Sequence, residues 1–219
     1  MRSNFSNKYF IYFLPLVVLF WGCSQVEKGY YENGELKYEI PKKGGYYNGT
    51  ATWYYANGKK QHECNYVNDS LQGTSTRWYV NGKIHSIENY KNNRLDGKVE
   101  SFDMNGKKTA EDNYRMNTLH GPSLQFYPSG QISIQGQYNK GMFDGRWIYY
   151  ADDGTIMGMG EFNMGSGKQK AWYRNGSVNR EISYVDNEKH GKEIFYDPDG
   201  NITRIVTYEY GDVVSTEEF

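Results

Sequence analysis

The sequence predicts an all-β protein, an elongated and twisted antiparallel meander of tandem β-hairpins with a period of about 24 residues. Three observations predict it. The chain holds 22 Tyr and 25 Gly but only 5 Pro in 219 residues, a balance that favours many short strands joined by tight turns. X-Gly pairs recur at nearly constant intervals from one end of the chain to the other. Aromatic residues keep fixed offsets from those pairs.

The repeat is read first. The pairs are Asn33-Gly34, Asn57-Gly58, Asn81-Gly82, Asn105-Gly106, Ser129-Gly130, Asp153-Gly154, Asn175-Gly176 and Asp199-Gly200. Their intervals are 24 residues throughout, except for one of 22 before Asn175-Gly176. A second glycine precedes most turn glycines by nine residues, from Gly49 to Gly191. Four residues before each turn glycine stands an aromatic: Tyr30, Tyr54, Trp78, Phe102, Phe126, Tyr150, Trp172 or Tyr196. Another stands eight after, from Tyr66 to Tyr208, with Lys42 breaking the column in the first unit.

Each unit has a physical reading. Gly73–Tyr79 is a strand rich in Thr and aromatics, and Lys83–Tyr90 is its return. Asn-Gly tolerates positive φ at both central positions, so a type I′ hairpin turn is expected there. Lys91–Gly97 is expected to reverse the chain into the next unit. Two strands per unit give roughly 15 or 16 strands, which at about 4.8 Å per strand extend roughly 75 Å if the sheet stays open. A closed barrel of so many short strands would enclose a wide empty interior, so an open sheet is expected. Adjacent aromatics such as Trp78-Tyr79 point to opposite faces, which gives both faces aromatic rows. No stretch reads as an amphipathic helix.

The start of the chain differs in kind. Arg2 and Lys8 precede an almost wholly apolar run from Tyr9 to Trp21, followed by Gly22 and Cys23. That order is a secretory signal. The apolar run is shorter than the roughly 20 residues a spanning helix needs. Phe20–Cys23 resembles the lipobox of a bacterial lipoprotein, with Gly22 as the small residue before the cysteine, although Phe20 and Trp21 depart from its usual pattern. The resemblance implies cleavage before Cys23, a lipid on its sulfur, and, with Ser24 next, delivery to the outer membrane. The alternatives are an ordinary signal with an incidental cysteine, or an uncleaved anchor. The expected organisation is a signal over 1–22, a short linker over 23–28 and an eight-unit repeat domain over 29–219. With Cys23 lipidated, Cys64 has no partner for a disulfide and reads as a buried small hydrophobe.

The units resemble the MORN repeat, in the variant form of bacterial YwqK-type antitoxin-like proteins. Gly49–Tyr66 and Gly97–Tyr114 carry the likeness, with the His-Gly pairs at His120-Gly121 and His190-Gly191. The likeness spans about residues 29–210. It implies an extended sheet of consecutive hairpins acting as an interaction or scaffolding module, with toxin neutralisation as one role of the bacterial variant.

Chemistry is sought against this frame. With 25 basic and 26 acidic residues the chain presents no single-sign field, so nucleic acid is not an expected partner. His62 and His85 sit in different columns with no evident partner, and no HxxxH or CxxC spacing holds a metal. Gly158–Gln169 fails the phosphate-loop pattern, since Phe162 stands where its first glycine is needed and Gln169 where Ser or Thr is. It is better read as the shortened unit, with two residues lost from the reversal and a local irregularity left behind. Glu39, Glu63, Glu111 and Glu181 share one column, and at about 10 Å spacing they are too far apart for paired acid–base work. Nothing in the sequence breaks the repeat to build a pocket.

No catalytic residue, cofactor or metal is therefore expected. The expected function is a non-enzymatic, lipid-anchored interaction module whose partner is a protein, a neutralised toxin among the candidates. The alternative is a glycan-binding or carbohydrate-active surface protein. Candidate interaction aromatics are Tyr55, Trp78, Tyr79, Tyr127, Trp147, Trp172 and Tyr173.

Overall fold

The protein is described from a computed structural model covering residues 24–219. The expected signal segment and Cys23 lie outside the described residues. Twenty strand segments form one open antiparallel sheet, and each strand pairs with its neighbours in chain order. Ser24–Tyr30 and Asp212–Glu218 are its two edges, each with a single partner. No helix occurs among the described residues. The expected count falls short for two reasons. Single-residue bulges at Asn48, Asp96 and His190 cut off two-residue segments, and Asp212–Glu218 adds one strand beyond the eight units. The linker expected over 23–28 is, over its described part, the edge strand itself, in register with Leu36–Lys43.

The two kinds of turn are exchanged relative to the sequence expectation. At Asn57-Gly58 only the glycine has positive φ, +77°. Gly58 N–H donates to Tyr55 O at 2.9 Å, and Tyr55 N–H to Lys59 O at 2.8 Å. This is a three-residue hairpin, a type I turn closed by a left-handed glycine that forms a G1 bulge. Asn57 earns its place through its side chain, whose Oδ1 accepts the Lys59 N–H at 3.1 Å. All eight X-Gly turns share the paired backbone bonds.

The type I′ turns lie at the opposite ends of the hairpins, in what the sequence suggested was a longer reversal. Asn68-Asp69, Asn92-Asn93, Met116-Asn117 and Asp186-Asn187 hold positive φ at both residues. Lys140-Gly141, Met164-Gly165 and Tyr210-Gly211 do the same, with glycine in second place.

Both edges of the sheet are clasped from unit to unit. Along the X-Gly edge a tyrosine hydroxyl reaches a backbone carbonyl 23 residues ahead. Tyr31 reaches Tyr54 O at 2.7 Å, Tyr55 reaches Trp78 O at 2.6 Å and Tyr79 reaches Phe102 O at 2.8 Å. Tyr127 and Tyr173 do the same to Tyr150 O at 2.6 Å and Tyr196 O at 2.7 Å. Lys59 and Asn81 add bonds to the next turn's carbonyls, at 2.9 and 2.8 Å. Along the type I′ edge the turns stack. Asp69 N–H donates to Tyr47 O at 2.9 Å and Asn117 N–H to Leu95 O at 2.9 Å. The side chain answers in reverse: Asn117 Oδ1 accepts the Leu95 N–H at 2.6 Å.

The two faces are unequal. The inner face holds most of the buried residues: Ala51 and Cys64, Ser75, Ser123, Trp147, Gln169, Ile182 and Glu193. Cys64 is free and buried, packed with Ile40 and Ala51 under Tyr38, Trp53 and Tyr66. A single-layer sheet has no second layer to bury its centre, so rings fold down over smaller neighbours. Trp147 lies over Gly136, where an added Cβ would come within 2.1 Å of the indole. The outer face carries Tyr54, Trp78 and Trp172 with most of the Lys and Glu residues.

Removing one clasp hydroxyl should cost about 1 kcal/mol, the net worth of a hydrogen bond, or roughly 2–4 °C in Tm for a domain this size. Tyr55→Phe and Tyr127→Phe lie in non-adjacent units, so thermal melts of the double variant should show near-additive losses. At the other edge Met116 holds φ of +53°, which an L side chain pays for. Met116→Gly should raise stability by about 0.5–1 kcal/mol in urea titration.

Candidate interaction surface

The seven nominated aromatics divide cleanly. Tyr55, Tyr79, Tyr127 and Tyr173 are the edge clasps, each hydroxyl engaged by the next unit's backbone. Trp147 is buried at 4% exposure, its indole N–H donating to Gln137 O at 3.1 Å. Around it Tyr138, Phe143, Phe162 and Tyr184 form a ring cluster, with centroids 4.8–6.4 Å apart. Trp78 and Trp172 are half-buried on the outer face. Lys60 Nζ sits over the Trp78 ring, 5.7 Å from its centroid.

The inner face of units two to five is polar. His62 has the partners its column did not reveal: Nε2 meets Ser75 Oγ at 2.8 Å, and the ring stacks on Trp53 at 5.0 Å. Ser86 Oγ–H and Tyr90 O–H donate to the two oxygens of Glu88, at 3.0 and 2.8 Å, and Arg77 stands 3.6 Å from it. Burial, with the Arg77 charge beside it, pushes the His62 pKa down to about 4. Burial pushes Tyr90 up to about 12, with its bond to Glu88 adding to the effect. Ser75 is 1% exposed, so the serine beside this histidine meets no substrate. Cys64 is likewise closed off, its thiol pKa raised by burial. Among the described residues no group of His, Cys, Asp and Glu could hold a metal ion.

The outer face carries the acidic column. Glu39 accepts the Tyr54 hydroxyl at 2.7 Å, Lys60 holds Glu63, and Glu111 takes Lys98 at 2.7 Å and Lys108 at 3.0 Å. Glu181 takes Lys170 at 2.6 Å. These carboxylates are neutralised one by one. The column breaks at Ile87, Gln135 and Ile205, and again where Met159 replaces the acid.

At that break the structure corrects the expectation that nothing builds a pocket. A depression of about 670 Å³ opens on the outer face, lined in part by Met159, Lys168, Lys170, Trp172, Lys192 and Ile194. It spans the shortened unit. The expected irregularity there is absent too: Ile156–Asn163 and Ser166–Trp172 pair without a register shift, unlike the other strands joined by a type I′ turn. The two missing residues are those that elsewhere make the bulge. The neighbouring turns close over the short one. Asn187 Oδ1 accepts from Phe143 N–H at 2.7 Å and its Nδ2 donates to Gly141 O at 2.8 Å, spanning two units. A deletion was legible in the sequence; a pocket on the far face was not.

Fold and surface together define a tandem β-hairpin repeat protein of the binding kind. The pattern described as MORN repeat variant matches residues 26–41, 47–68, 71–92, 119–140, 166–186 and 189–210, more than half of the chain, which therefore belongs to that family. The hairpins turning at Asp103–Lys107 and Ala151–Thr155 fall between the matched segments, yet they make the same turn bonds. No curated protein gives a match.

The His62 site yields a pH prediction. Its folded pKa lies below the unfolded value near 6.5, so between pH 6.5 and about 4 the unfolded chain binds a proton that the folded chain refuses. Stability from this group is full above pH 6.5 and falls as pH drops through that window. In His62→Gln, which keeps a partner for Ser75, melts from pH 7.5 to 4 should show a shallower loss of Tm than in the parent.

Proposed function

We propose that this chain is a non-enzymatic interaction module of the bacterial envelope, anchored by a lipid on Cys23, whose outer face engages a protein partner. The depression beside Trp172 is the observation that carries the reading. It combines half-buried apolar side chains with lysines that make no ion pair among the described residues, the combination found where proteins meet partners. The edges, by contrast, are occupied in holding units together. Membership in a repeat family of binding modules supports the same reading.

The anchor is supported by the order of basic, apolar and small residues ending at Cys23. A partner at the envelope follows from it, and a secreted toxin is one such partner, the antitoxin-like form of the role. Glycan binding is the second reading, favoured by the half-buried indoles of Trp78 and Trp172 on the outer face, surfaces on which sugars stack.

A photoreactive residue at Trp172 should yield a discrete protein adduct in intact cells, and one at Tyr55, whose position is engaged within the sheet, should not. Equal labelling from both positions would remove the outer face from consideration. Cys23→Ala should move the protein out of the membrane fraction, and unchanged membrane retention would overturn the lipid anchor.

A further inference from the structure

On the outer face a row of cross-strand neighbours runs Glu161, Lys168, Ser183. The next strand bulges at His190, whose N–H donates to Ser183 O at 3.0 Å, and brings Lys192 into the same depression that Lys168 and Ser183 line. Arg146 holds Glu161 at 2.9 Å and Lys170 holds Glu181 at 2.6 Å. Lys168 and Lys192 are exposed and make no ion pair among the described residues. In earlier units the lysines of this face, such as Lys98 and Lys108, are paired with glutamates. The row below runs Met159, Lys170, Glu181, Ile194, so the Lys170–Glu181 pair separates its two apolar ends, and Trp172 follows Lys170 on the strand next to Met159.

Two ammonium groups without an ion pair near a hydroxyl, with the half-buried Met159 and Trp172 beside them, select a ligand with two parts. One part is a carboxylate, which the lysines attract and Ser183 can hydrogen-bond. The other is an apolar side chain, which Met159 can accommodate because its thioether chain adapts its shape. A bare anion would leave the floor unused. An uncharged sugar would leave both charges unused.

Resting on the reading of the outer face as the binding face, we propose that this depression receives an acidic segment of a protein partner, in which a Glu or Asp stands next to a large apolar residue. The carboxylate lies between Lys168 and Lys192, and the apolar side chain enters over Met159 and Trp172. The strands beneath are central ones with both neighbours paired, so recognition runs through side chains and adds no strand to the sheet.

The test uses the full mature chain and a fluorescein-labelled peptide of alternating Glu and Leu or Phe, read by fluorescence polarisation. Saturable binding is expected, weakening as salt rises. Lys168→Glu with Lys192→Glu should weaken it at least tenfold, and Met159→Glu should weaken it comparably. Lys43→Glu, an exposed lysine on the first hairpin, should leave it within twofold. The Lys-for-Glu version of the peptide should not bind. The lysines are exposed and Met159 is half-buried, and unchanged melting curves establish that the variants are folded. Equal binding by parent and double variant would overturn the proposal. So would absence of peptide binding, or binding of a sulfated oligosaccharide in its place with the same lysine dependence. Loss of this site would be distinguishable from failure of the broader reading, because a photoadduct from Trp172 that persists in the double variant retains the interaction module while removing the acidic-segment ligand.

Discussion

The constraint on which the structure depends is the absence of a second layer. A sheet one strand thick cannot bury its centre against a partner sheet or helix, so each unit must take its stability from the units beside it. The clasp at each edge answers that need. A tyrosine hydroxyl meets the next unit's carbonyl on one side, and a type I′ turn stacks on the previous turn on the other. Both bonds reach a fixed number of residues along the chain, 23 for the tyrosines and 22 for the stacked turns. The period is therefore a mechanical requirement, and stability is close to a sum over units and their contacts. The units turning at Asp103, Ala151 and Asp197 have no clasp tyrosine. The first two, which the family pattern passes over, are tied to their neighbours by other side chains, Asn81 to Met104 O and Arg174 to Asp152.

Within that frame the inner face changes character along the sheet. Near the start it is a polar network, with His62, Ser75, Ser86 and Glu88 satisfying one another. In the middle it is a cluster of five rings around Trp147. Towards the end it buries Glu193 at 1% exposure between Arg180 at 3.2 Å and Lys189 at 3.0 Å. Removing either cation would leave a buried charge short of a partner, which costs far more than the intact pair contributes. The repeat thus dictates backbone and edges and leaves the inner columns free to vary, provided each polar group finds a partner on an adjacent strand.

The sequence displayed the architecture because turn glycines and aromatic columns are set by backbone geometry, and backbone geometry repeats. It misplaced the turn types for an instructive reason. Asn-Gly suits two positive φ values, but the three-residue hairpin also needs a left-handed glycine and an Asx side chain before it. The real type I′ pairs, among them Met116-Asn117 and Lys140-Gly141, are too varied to show the pattern. Tyr55, Tyr79, Tyr127 and Tyr173 were legible as a column but not as clasps, because their acceptors are backbone carbonyls, which carry no sequence signature. The environment of His62 escaped notice because Ser75 and Trp53 lie across strands. The edge strand over 24–30 was hidden by its lack of a full unit around it.

The candidate site follows from the same rule by exception. Where the outer face keeps its glutamate, a lysine neutralises it, as in Lys60–Glu63, Lys108–Glu111 and Lys170–Glu181. Deleting two residues at the type I′ edge of one unit removes its bulge and lets the flanking turns join through Asn187. Nearby, Met159 stands where the acidic column would place a carboxylate, and Ile194 where Glu100 meets Lys108 four units earlier. Lys168 and Lys192 keep their charges as a result. A repeat protein gains specificity where it departs from its own repeat: a feature present in every unit holds the sheet together, and a feature present in one unit can distinguish a partner.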